Sequence, residues 1–115
     1  MIPRGVEIFV GLEPIDLRWS FDRLAGISQE RIGRPARSGA LFVYFGKRRD
    51  AIKILFFDGT GLCLFYKRLD KTTFRLPQVE GDVASVAIDE RALDDLLDGI
   101  DIEAKTPRLR VPRVH

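Results

Sequence analysis

The residues from 41 to 69, LFVYFGKRRDAIKILFFDGTGLCLFYKRL, constrain this chain more than any other stretch. Three apolar runs, 41–45, 52–57 and 62–66, are separated by two short polar breaks. The runs are rich in aromatic and β-branched side chains that suit a pleated surface, and each has strand length, about 5–6 residues. The second break, Asp58-Gly59-Thr60-Gly61, carries glycines where a tight hairpin turn needs positive φ. The first, Gly46-Lys47-Arg48-Arg49-Asp50, is a slightly longer loop with three adjacent cations. The spacing predicts an antiparallel three-stranded meander.

A four-residue loop at 58–61 sets the register. Phe57 then faces Leu62, Leu55 faces Leu64 and Lys53 faces Tyr66, while the other side of the sheet pairs Phe56 with Cys63, Ile54 with Phe65 and Ile52 with Lys67. Both sides are apolar near the turn and polar toward the far end. This predicts two-sided burial at the turn and a gathering of Lys53, Lys67 and Arg68 near Lys47, Arg48 and Arg49. The gathering depends on register, since a slip of one residue scatters it.

Around the meander, residues 6–10 read as a first strand ended by Gly11 and Pro14. Leu17, Phe21, Leu24, Ala25, Ser28 and Ile32 recur at helical spacing, which predicts a helix over 17–32, capped by Asp16 or Ser20 and stopped by Gly33 and Pro35. Trp19, the single tryptophan, reads as packing at the core's edge, with base stacking or a partner anchor as the alternative. Residues 72–76 are candidates to extend the sheet before Pro77. Residues 83–88 form a further strand, and Asp89 caps a helix over 90–98 whose Ala92, Leu93, Leu96 and Leu97 make an apolar stripe. Gly99 sits at the left-handed position after that helix, with Ile100 available for the accompanying apolar contact. The fold class expected is α+β: a single domain over residues 1–104, a mostly antiparallel sheet of five or six strands with two helices packed on it. Residues 105–115, with two prolines and four cations, read as a flexible basic tail.

Charge is segregated along this frame. The balance is −2 over residues 1–30, +8 over 31–75, −8 over 76–103 and +4 over the tail. Either the basic and acidic segments neutralise each other across the fold, or one pole of the surface suits a polyanion. Chemistry of the chain's own is not expected. The single histidine is the last residue, His115, and Cys63 is the single cysteine, so neither a histidine base nor a thiolate metal cluster is available. No phosphate-binding glycine loop occurs. Asp16, Asp22, Asp50, Asp58 and Asp70 offer carboxylates, but Asp58 already serves its turn and Asp70 follows a strand end. No catalytic residue, metal or cofactor is therefore expected. The lone thiol, the absence of a signal-peptide core in the first residues and the lack of a spanning apolar run predict a soluble cytoplasmic protein.

Several segments in order resemble a known family. Residues 16–25, DLRWSFDRLA, resemble its N-terminal signature, and residues 38–50, SGALFVYFGKRRD, its central segment with the arginine pair. Ile52-Lys53-Ile54-Leu55, Asp58-Gly59-Thr60-Gly61, Cys63-Leu64, Tyr66-Lys67-Arg68-Leu69, Phe74-Arg75-Leu76-Pro77 and residues 96–101, LLDGID, match its further blocks. The chain thus resembles the TnpB accessory proteins of insertion sequences in the sixty-six family, which are unrelated to the RNA-guided nuclease of the same name. The resemblance implies a bacterial mobile-element protein needed for transposition and encoded beside a separate, larger transposase.

Two functions are compatible with these residues. In the first, the protein is a non-enzymatic accessory factor that contacts DNA phosphates through Lys47, Arg48, Arg49, Lys53, Lys67 and Arg68, aided by the tail. In the second, it docks on the transposase or a sister accessory protein without touching DNA, through the acidic 80–103 segment or the meander's edge. Lys47, Arg48 and Arg49 are expected to project into solvent. The oligomeric state is left open by the sequence.

Overall fold

The computed structural model describes residues 5–99 and 106–109. Its strands are β1 (Ile8–Gly11), β2 (Leu41–Phe45), β3 (Ala51–Phe57), β4 (Leu62–Arg68), β5 (Val83–Ile88) and β6 (Thr106–Leu109). Two helices, α1 (Phe21–Ile27) and α2 (Glu90–Leu97), accompany them. The strands form one sheet in the order β4-β3-β2-β1-β5-β6. All neighbours are antiparallel except β1 and β2, which run parallel. A parallel pair needs a long crossover, and the connection through α1 supplies it. The architecture is the expected α+β fold.

The meander has the register read from its turn: Phe57 faces Leu62, Lys53 faces Tyr66 and Ile52 faces Lys67. Asp58 builds that turn by accepting from the backbone N–H groups of Thr60 and Gly61, at 2.8 and 3.0 Å. These bonds to the ionised form hold its carboxyl down at about 2.

The two helices cover opposite sides of the sheet. On one side Ile8, Val10, Val43, Ile54 and Val86 pack with Leu93, Leu96 and Leu97 of α2. On the other, Phe9, Phe42, Tyr44 and Leu55 pack with Leu24 and Ile27 of α1 and with Ile32 beyond it. A strand buried on both sides has no polar side to alternate with. That is why β2 reads LFVYF and is buried throughout.

Several expectations are corrected. The gradient of burial along the hairpin is the reverse of the one expected: Ala51 to Leu55 are buried, while Phe56 and Phe57 at the turn are only half-buried. β2 pairs with β3 only from Ile52 to Leu55, so Phe56 and Phe57 at the turn end have β4 alone beside them. The far end is closed instead by Phe74, whose ring meets that of Phe45 edge-on at 5.7 Å. Residues 72–76 form no strand; the N–H of Phe74 donates to Arg49 O at 2.7 Å and fixes the segment across the loop.

The first helix begins at Phe21 rather than Leu17, because residues 15–19 are committed elsewhere. Ile15 N–H donates to Phe45 O and Trp19 N–H to Asp16 O, making a turn. Asp16 bonds Arg18 instead of a helix end, and Ser20 stands at the N-cap position without a side-chain bond. Beyond Ile27 the helix widens into a π-helical turn, Ser28–Ile32. β1 starts at Ile8 rather than at residue 6, and Gly11 is its last residue.

At the second helix Asp89 accepts from Ala92 N–H at 2.8 Å as an N-cap, and Gly99 adopts φ 80° after the last turn. The contact expected of Ile100 lies outside the described residues. Of the stretch read as a tail, Thr106–Leu109 runs antiparallel to β5. Among the described residues no helix is long and apolar enough to cross a membrane.

Candidate nucleic-acid interface

The loop between β2 and β3 is hydrogen-bonded along its backbone and open in its side chains. Arg49 N–H donates to Gly46 O, and Gly46 N–H to Ala51 O, closing the turn. Two carbonyls of the loop are used from outside, Asp50 O by Leu69 N–H at 2.8 Å and Arg49 O by Phe74 N–H. Gly46 lies so close to Leu17 that a Cβ there would stand 2.7 Å from its Cδ1. Lys47, Arg48 and Arg49 nonetheless leave their side chains exposed. Among the described residues none of the three makes an ion pair.

Arg49 has φ 60°, a left-handed backbone that no other non-glycine adopts among the described residues. Such a conformation costs an L-residue roughly 1–2 kcal/mol. Arg49→Gly is therefore expected to raise stability by up to about 1 kcal/mol in urea unfolding, after allowing for glycine's freer unfolded chain. A clear loss would show that the arginine side chain holds the fold.

Beside this loop lies an open cleft of about 650 Å³. Residues 14–17 make one wall, Lys47, Arg48 and Asp50 the other, and Arg68 of β4 joins them. Asp16 faces the same cleft but is engaged by Arg18, which holds both carboxylate oxygens, the shorter contact being 2.6 Å. The Arg18 bonds pull the Asp16 carboxyl down to about 2, so it stays ionised and paired. Arg68 donates to Tyr66 Oη at 3.0 Å and is exposed.

Of the six cations singled out from the sequence, the fold brings Lys47, Arg48 and Arg68 to one cleft, with Arg49 at the loop beside them. It takes Lys53 and Lys67 away. Lys53 is only 8% exposed, and its Nζ donates to Trp19 O at 2.7 Å. Lys67 lies on the other side of the sheet, where its Nζ donates to Leu97 O at 2.8 Å. There it satisfies a free carbonyl and the negative end of α2, a helix that carries Asp94, Asp95 and Asp98 around the same end. The expected gathering of both lysines with the loop does not occur: strand alternation puts Lys67 on the opposite side of the sheet from Arg68, while Lys53, on the side of Tyr66 and Arg68, is buried and bonded to Trp19 O.

Aromatic groups nearby leave a fainter mark in the sequence. Trp19 is half-buried, with the guanidinium of Arg23 4.7 Å and that of Arg31 6.0 Å from its ring centre. Tyr66, 49% exposed, has Lys53 Nζ 5.3 Å from its ring centre. A tyrosine facing a lysine across the meander is the available signal for the second of these.

Comparison with known proteins agrees with the family blocks. The uncharacterized protein y4hO of Sinorhizobium fredii is 38% identical over 103 residues, covering 88% of each chain. The uncharacterized protein y4jC of the same organism is 29% identical over 98 residues, covering 85% of this chain and 82% of the relative. No solved structure matches. The family described as IS66 Orf2 like protein matches residues 6–107. With nearly the whole described domain inside that match, the chain belongs to the IS66 Orf2 like family, a membership that implies an accessory role in transposition.

Proposed function

We propose that the protein serves transposition without catalysis of its own, by contacting DNA phosphates through Lys47, Arg48 and Arg68, with Arg49 alongside. One observation carries the reading: the exposed cations of a firmly anchored hairpin line one cleft and have no ion-pair partner among the described residues. Three adjacent cations repel one another, and a purely structural loop of this length would do as well with neutral turn residues. A polyanion relieves that repulsion and releases counterions as it binds. In this reading Lys53 supports the surface from below through its bond to Trp19 O, and Lys67 serves the end of α2 on the other side of the sheet.

The test is fluorescence anisotropy with a labelled insertion-sequence end across a salt series. Binding should weaken steeply with salt. Lys47→Ala with Arg48→Ala should flatten the slope of log K against log salt by about 2, at about 0.9 for each phosphate no longer neutralised. Stability should stay within about 0.5 kcal/mol, as for exposed sites, while transposition in cells falls sharply. If the double variant unfolds the domain, the loop is structural and the proposal fails.

A second reading rests on β4, which ends the sheet and, among the described residues, has one strand edge unpaired. Such an edge accepts a strand from a partner, and the transposase or a sister accessory protein is the partner we propose for it. Absence of DNA binding at low salt would leave this reading in place of the first.

A further inference from the structure

We infer that the face carrying Tyr66 receives unpaired nucleic-acid strand, a base stacking on the open side of its ring while Arg68 and Arg48 hold phosphates, with Trp19 close by. The inference rests on the phosphate-contact reading and adds the kind of nucleic acid that the face takes.

Cation and aromatic groups follow one another here through contacts that can be traced. Arg23 lies over Trp19, and the carbonyl of Trp19 accepts from Lys53. Lys53 lies against the ring of Tyr66, the hydroxyl of Tyr66 accepts from Arg68, and Arg68 lines the cleft with Arg48. Because Lys53 is buried and Tyr66 half exposed, the lysine occupies the inner side of the ring. The outer side is left to solvent.

Isolated exposed apolar residues are ordinary and need no function. Tyr66 is not isolated in that sense, because two cations fix its ring and hydroxyl at the margin of a basic cleft. Phe21, the other large apolar side chain exposed among the described residues, lies two residues from Trp19. An intact duplex offers phosphates to such a face but hides its base faces in the stack. A single strand offers both, and its sequence-tolerant binding combines aromatic platforms with a charged groove. Aromatic rings interleaved with cations therefore fit unpaired strand better than duplex. In transposition, strand ends and melted junctions would supply it.

The experiment uses the full chain with two labelled probes, oligothymidylate of about ten nucleotides and a duplex of equal length, by anisotropy at low salt. The single strand should bind more tightly and quench the emission of Trp19, the only tryptophan. Tyr66→Ala should weaken single-strand binding about tenfold, the effect of losing one stacked base, and leave duplex binding unchanged. Tyr66→Phe should retain it, and thermal unfolding of both variants confirms that they are folded. If duplex binds with its salt dependence but Tyr66→Ala affects neither probe, or both equally, stacking is refuted while the phosphate reading stands. If neither probe binds, both readings fall.

Discussion

Gly11→Ala is expected to lower the free energy of unfolding by about 2 kcal/mol or more, the range of an overpacked core. A Cβ at Gly11 would stand 2.9 and 3.0 Å from two carbons of the Tyr44 ring, closer than carbon atoms pack. Neither partner is free to move. Gly11 belongs to β1, which is hydrogen-bonded on both sides, to β2 and to β5. Tyr44 is fully buried, and its hydroxyl donates to Ser28 Oγ, which in turn donates to Leu24 O at 2.9 Å. This close approach ties the central strand to the helical side of the core. Gly26 is the internal comparison: it is exposed on α1, with nothing within 4 Å of the place a Cβ would take. There the same substitution should stabilise by roughly 0.5–1 kcal/mol through helix propensity. Opposite signs in urea unfolding would place the effect in the approach to Tyr44; equal signs would refute it.

Much of the fold is legible in the sequence because the sheet's signals are local. The 58–61 turn fixes the β3–β4 register, and Asp89 with Gly99 brackets α2 to within a residue. What is not legible depends on which strand lies beside which. Nothing in residues 6–10 says that they pair in parallel with β2, and only that pairing places β1 in the centre of the sheet. The burial gradient fails for the same kind of reason. The residues around the turn are apolar, but burial follows position in the sheet, and β2 does not reach Phe56 and Phe57. Leu17 matches the helical spacing of Phe21 and Leu24, yet the backbone bond of Ile15 to Phe45 O holds its segment against the sheet. A tertiary bond there outweighs periodicity.

The candidate site divides along similar lines. Lys47, Arg48 and Arg49 are conspicuous as neighbours in sequence, and a hairpin tip is a place where side chains reach solvent. Nearness along the strands groups Lys53 and Lys67 with them. Their alternate facing, already implied by the register, sends one ammonium to Trp19 O and the other to Leu97 O. The wall formed by residues 14–17 is invisible in the sequence, because it depends on the bridge of Ile15 to Gly46 that aligns that segment with the hairpin.

Tyr44 gives the second large effect, and it is a dependence on pH. Burial pushes its phenol from an ordinary 10.0 up to about 12, against a smaller opposing contribution from the Ser28 bond. In the unfolded chain the phenol loses its proton above pH 10, whereas the folded protein keeps it to about pH 12. The unfolded state then binds fewer protons than the folded one, so stability falls as pH rises. The contribution is intact below pH 10 and is lost progressively up to about 12. A shift of this size corresponds to about 3 kcal/mol. Other groups titrate in the same window, so the measurement is a difference: urea unfolding of the wild type and of Tyr44→Phe at steps of pH. The variant should lose about 1 kcal/mol at neutral pH from the missing hydrogen bond, since Ser28 keeps its bond to Leu24 O. As pH rises above 10 the two stabilities should converge and then cross, the phenylalanine protein becoming the more stable. Parallel curves across that window would mean that the Tyr44 phenol is not held in the buried, neutral state on which the core is built.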